Sequence, residues 1–92
     1  MAENPLPTTV DEAIQWMFNQ LDEANRQKLK SMEKIDLIWL HHGYGAGIRN
    51  ALNLWAKDNP LAAQPELRGK HPDSMSGYLI ERLWEYLQDE TA

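Results

Sequence analysis

The stretch "HHGYGAGIRN", residues 41–50, gathers the residue types that can hold a charged ligand. Gly43, Gly45 and Gly47 stand at alternate positions, His41 and His42 precede them, and Arg49-Asn50 follows. A glycine inside a helix costs about 1 kcal/mol relative to alanine. A turn, a close packing contact or a ligand near the backbone must offset that cost. A helix beginning at residue 46 would present unpaired N–H groups and a partial positive charge. Small residues at 45–47 would let an oxygen atom approach them, and Arg49 in the first turn would add a planar fork for an anion. His41 and His42, on the other side of the turn, are further donors. The competing reading is structural: the glycines let two helices pack closely, and Arg49 forms an ion pair with Asp36 or Asp73.

Other chemistries fit less well. "GYGAGI" places Ile48 where the dinucleotide fingerprint needs its third glycine, and no strand precedes it. His41 and His42 point about 100° apart on a helix and cannot readily share one ion. With no cysteine and no HExxH pattern, no metal site and no cofactor is expected. Ser74 and Ser76 with His71 and Asp73 contain the atoms of a hydrolytic triad, but adjacent positions cannot form its geometry. Capping of a helix explains "HPDS" more simply, so no catalytic residue is assigned. Glu81, Glu85 and Asp89 form a negative stripe at intervals of four, either a solvated face or a surface for a basic partner.

The elements that must position these residues are helical. "ENPLPTT" reads as an extended lead-in over residues 1–8, because each proline pushes its predecessor out of the helical region. Thr9 and Glu12 form a capping box for a first helix over about 10–21, with Val10, Ile14, Met17, Phe18 and Leu21 on its apolar side. "DEANRQKLKSM" reads as a short polar helix or turn anchored by Leu29. Ser31 can cap the next helix, whose Ile35, Leu37, Ile38, Trp39 and His42 suggest a central, largely buried element. Gly43 or Gly45 ends it through the left-handed conformation that glycine tolerates. A third main helix follows over about 46–57, then a proline-containing loop over 58–72. Asp73 or Ser74 caps a last helix carrying Met75, Leu79, Ile80, Leu83, Trp84 and Leu87. No segment alternates like a strand. The expected fold is all-α, a compact single-domain bundle of four to five helices spanning residues 1–92.

Ninety-two residues leave little room for a second core. Trp16, Trp39, Trp55 and Trp84 are more than a core of this size easily hides, so at least one should be partly exposed, in a pocket or at a subunit contact. A homodimer would account for the surplus area. A net charge of −5, from 14 acidic and nine basic residues, argues against a reader of duplex nucleic acid. "MAENPLPTTV" lacks the basic start and apolar run of a signal peptide, and "IDLIWL" is too short to span a bilayer. No membrane partner is expected, and the expected location is cytoplasmic.

At "LHHGYGAGIRNALNLW" and "HPDSMSGYLIERLW" the chain resembles a family of small domains of unknown function found in bacteria and their phages. The shared elements are Leu40-His41, Gly45, Ile48-Arg49-Asn50, Leu54-Trp55, and His71-Pro72-Asp73 with Ser76. An acidic residue often follows the aspartate in that second block, whereas this chain has Ser74. The resemblance transfers no activity; it implies that the glycine turn and the "HPDxxS" corner belong to one site. The leading expectation is therefore a non-enzymatic protein that binds a small anionic, nucleotide-like ligand, sensing or sequestering it, as in phage–bacteria conflict. His41, His42, Tyr44, Gly45, Gly47, Arg49, Asn50, Trp55, His71 and Asp73 would line that site, with Tyr44 or Trp55 stacking on the ligand. The alternative is a protein–protein interaction module, such as a phage or bacterial inhibitor acting through exposed tryptophan and an acidic surface.

Overall fold

A computed structural model of the chain describes residues 6–56 and 58–90, except the side chains of His41 and Glu90. Most of the expected lead-in, residues 1–5, lies outside the described residues. Among those residues regular structure is entirely helical, as the sequence predicts. The radius of gyration is 12.9 Å, close to the roughly 12 Å of a packed chain of this length.

Helix α1 spans Val10–Gln20 and is capped by Thr9, whose side chain accepts the Glu12 N–H at 3.1 Å. The Glu12 carboxylate reaches back one residue further than a capping box requires, accepting the Thr8 N–H and hydroxyl. These bonds, the Thr8 N–H foremost, hold its pKa below the usual carboxylate value. Helix α2 spans Glu23–Ser31 behind the cap of Asp22, and buries Leu29. Ser31 closes α2, its hydroxyl donating to Lys28 O, and does not open the next element.

From Lys34 the backbone is helical without interruption to Ala51, but its winding changes. Lys34–Leu40 is a 3-10 segment, His41–Gly45 is a π turn, and α3 is Ala46–Ala51. Two sequence expectations are corrected here. The central buried helix does not exist: only Leu37 of Lys34–Leu40 is buried, while Ile35, Ile38 and Trp39 are 78 %, 61 % and 77 % exposed. Three residues per turn explain this, because Leu37 and Leu40 then align inward while Ile35 and Ile38 align on an outer edge. Nor do the glycines break the chain. Gly45 (φ −60°, ψ −43°) and Ala46 (φ −62°, ψ −40°) are both α-helical.

The third helix ends six residues earlier than its periodicity suggests. Asn53 takes φ 57°, while the Leu54 N–H bonds Arg49 O at 3.0 Å and the Asn53 N–H bonds Asn50 O at 3.3 Å. That pair of bonds is the terminator in which a left-handed residue turns the chain back over the last carbonyls. Leu54 is thereby buried and Trp55 left 56 % exposed. The following loop is anchored to the core by Leu61 and Leu67, both fully buried. Asn59 pins its start, donating to Leu52 O and Asn53 O and accepting from the Leu61 N–H.

Helix α4, Pro72–Glu90, is the hub against which all the other helical segments pack. It buries Met75, Leu79, Ile80, Leu83 and Leu87. Two bonds tie it to the end of α2: Trp84 Nε1 donates to Met32 O, and Gln88 Nε2 donates to Lys30 O. Trp16 and Trp84 are half-buried against the core, so the surplus tryptophan area falls on Trp39 and Trp55.

Candidate functional site

The glycine segment and the start of α4 do meet. Arg49 is carried by α3 with only 13 % of its side chain exposed. Its Nη1 donates to Ser76 Oγ at 2.9 Å, and its Nε lies 3.3 Å from Asp73 Oδ1. Ser76 is fully buried and passes its own proton to Asp73 O at 2.9 Å. Both ends of the hydroxyl are thus used inside the fold, which leaves it no role as a nucleophile. A serine hydroxyl within a helix commonly bonds back in this way to a carbonyl one turn earlier.

His71 caps α4 in place of Asp73 or Ser74: its Nδ1 accepts the Asp73 N–H at 3.1 Å. The same nitrogen lies 3.8 Å from Asp73 Oδ2. The two contacts require opposite states, since accepting uses the lone pair and pairing with a carboxylate needs N–H. The shorter contact is the hydrogen bond, with Nδ1 as acceptor. This imidazole and the Trp55 indole stand perpendicular, with ring centroids 5.3 Å apart and planes at 89°. Pro72 at the first helical position costs nothing, because its missing N–H would have been unpaired there.

Gly45 has a definite reason within this corner. A Cβ there would stand 3.2 Å from Arg49 Nη1, 3.3 Å from Leu40 O and 3.6 Å from Ser76 Oγ. The glycine makes room for the guanidinium. Gly43 and Gly47 differ: a Cβ on either would meet nothing within 4 Å, and both are exposed.

Of the ten residues expected in one site, the structure therefore brings together Gly45, Arg49, His71, Asp73 and, through His71, Trp55. His42 and Asn50 are exposed, and their side chains make no hydrogen bond or ion pair with the corner among the described residues. The side chain of His41 lies outside the described residues. Tyr44 is corrected to a different place. It lines a recess of about 310 Å³ against α2, with Leu21, Leu29, Met32 and Leu40, and cannot stack at the Arg49 corner. Its hydroxyl is buried with no hydrogen-bond partner among the described residues, and burial pushes its pKa up to about 12. Gly47 faces outward and takes no part. The cradle of N–H groups at a helix start is withdrawn as well, because residues 45 and 46 continue a helix and α3 has only six residues.

The sequence reading overlooked Ser76 as the hub of the corner, although the "HPDxxS" spacing contained it. It also took Ile35, Ile38 and Trp39 for core. Ile35 and Ile38 line a recess of about 450 Å³ between the 3-10 segment and α4, walled also by Leu37, Tyr78 and Ile80. Lys34 and Glu81 bridge its rim at 3.2 Å, and Asp73 borders it.

No group of three or more His, Cys, Asp or Glu side chains is arranged to hold a metal ion among the described residues. No helix among them is long and apolar enough to cross a membrane. The chain matches, over residues 6–87, the model of a family described as a domain of unknown function, DUF6794. No curated protein and no solved structure matches it. The chain belongs to the DUF6794 family.

Proposed function

We propose that this chain is a non-enzymatic protein–protein interaction module that docks through the edge formed by Ile35, Ile38 and Trp39. The supporting observation is the exposure of these three large apolar side chains, at 78 %, 61 % and 77 %, within five residues. Scattered apolar residues are ordinary on a surface, but a contiguous group marks a contact. Full burial of each such side chain yields about 1.5–3 kcal/mol, which is ample to drive association once the cost of ordering is met.

The anion-binding reading has less behind it. Its key group, the Arg49 guanidinium, is engaged by Ser76 and Asp73, and the corner fixes the approach of α3 to α4. A satisfied buried polar network of this kind specifies an arrangement of helices.

Site-directed photo-crosslinking tests the proposal. A photoreactive phenylalanine analogue at position 39, in cells that express the chain natively, should yield a discrete adduct with one protein. The same group at Glu66, exposed on the loop, should not. The adduct's partner, purified, should bind the parent chain and lose at least about tenfold in affinity with Trp39→Ala. Indistinguishable adducts from both positions would reject the proposal. A thermal shift with inorganic phosphate or nucleotides that Arg49→Ala abolishes would favour the ligand reading instead.

A further inference from the structure

Resting on that reading, we infer that the occupant of the edge is a basic amphipathic helix of another protein, laid into the recess between Lys34–Leu40 and α4. Three observations define it. The first is the floor: Ile35, Ile38, Tyr78 and Ile80 line an apolar trough, and Trp39, next in sequence to Ile38, is 77 % exposed. An amphipathic helix fills such a trough with residues one turn apart. An extended peptide would instead add to a sheet edge, and no strand exists among the described residues.

The second is charge. Lys34 pairs with Glu81 and Arg49 with Asp73, so the basic groups around the trough are already matched. Glu33 and Asp36, which flank Lys34 and Ile35 in sequence, are exposed with no ion pair among the described residues, so the segment that borders the trough is negative. A partner with lysine or arginine flanking its apolar stripe complements that rim. A second copy of this chain does not, since each copy brings a net charge of −5.

The third is the pair Gly43 and Gly47. Both are helical and exposed, and a Cβ on either would meet nothing within 4 Å among the described residues beyond its own helix backbone. The fold itself therefore gains nothing from their being glycine. They follow Trp39 at intervals of four along continuous helical backbone, so they continue the same exposed side. Without side chains there, the backbone of a docked helix can come close alongside the indole.

Titration calorimetry on the full chain tests this with two synthetic peptides of roughly 18 residues. One is an amphipathic Leu/Lys helix; the other has the same leucine pattern with Glu in place of Lys. The Leu/Lys peptide should bind, the Leu/Glu peptide should not, and binding should weaken as NaCl rises from about 50 to about 500 mM. Trp39→Ala should weaken it at least about tenfold. Gly47→Leu should weaken it comparably, while leaving the melting temperature of the free protein undiminished, because the added side chain enters open space.

Failure of the Leu/Lys peptide to bind, equal binding of both peptides, or full affinity in Trp39→Ala would each overturn the inference. If crosslinking from position 39 still marks a protein partner in that case, only the assignment of a basic helix falls. A Trp39-dependent dimer in sedimentation, with neither peptide binding, would make a second copy the occupant.

Discussion

Arg49 Nη1 lies 3.2 Å from the point that a Cβ on Gly45 would occupy, one helical turn away. The guanidinium is fixed there by Ser76 and Asp73, so it cannot swing aside without giving up those partners. We therefore expect Gly45→Ala to destabilise the protein by about 1–3 kcal/mol, against the usual gain from replacing a helical glycine. Gly43→Ala and Gly47→Ala should do the opposite, each stabilising by about 1 kcal/mol. Urea denaturation of the three variants checks both signs. Three equal stabilisations would mean that the corner is looser than its distances indicate.

Arg49→Ala should cost about 1–3 kcal/mol, because Ser76 is left buried with an unmatched oxygen. Arg49→Lys should recover little of this, since an ammonium cannot meet Ser76 and Asp73 with one planar fork. A double-mutant cycle with Ser76→Ala measures the coupling. Asp73 should contribute less than Ser76, since its side chain is 58 % exposed and its charge is screened by water.

The Tyr44 hydroxyl is buried without a partner among the described residues, so Tyr44→Phe should be neutral or stabilising by about 1 kcal/mol. The pH dependence has a definite sign. The phenol's pKa is about 12 in the fold against 10.0 ordinarily, so folding favours the neutral form. That contribution is complete below pH 10 and is lost as pH rises from 10 towards 12. It amounts to about 3 kcal/mol at most. Stability measured between pH 9 and pH 12 should fall less steeply for Tyr44→Phe than for the parent. Parallel curves would place the hydroxyl in contact with water.

Asn53 holds φ 57° at the end of α3, a conformation that asparagine tolerates and alanine resists. Asn53→Ala should cost about 1 kcal/mol, whereas Asn53→Gly should be close to neutral or slightly stabilising. Thermal melts of the pair provide the check. Equal losses would mean that the asparagine side chain, not the backbone angle, carries the effect.

Much of this fold is legible in the sequence. Thr9 and the periodic Val10, Ile14 and Met17 define α1, and the four-residue repeat from Met75 to Leu87 defines α4 although its cap is His71, because both are regular α-helices with a continuous apolar face. The pairing of Arg49 with Asp73 was also within reach, as one of two carboxylates considered for it. The segment between Lys34 and Leu54 defeats the same reasoning for a physical reason. Apolar residues there were projected at 3.6 per turn, whereas the chain winds at three per turn and then more loosely. That turns Ile35, Ile38 and Trp39 outward and keeps Leu37 and Leu40 inside. Alternating glycines resemble a chain break, but only Gly45 answers to a close contact. Asn53 was read as helix interior because its left-handed turn depends on burying Leu54, which no local pattern announces.

The passage from tight to loose winding within Lys34–Ala51 has an evolutionary corollary. It sets the angular phase between the edge bearing Trp39 and the face bearing Arg49, with no loop between them to absorb an error. Loss or gain of one residue in His41–Gly45 would rotate one relative to the other by about 100°. Within this stretch, relatives that keep both features should accept substitutions at positions other than Gly45 and Arg49 more readily than any change of length.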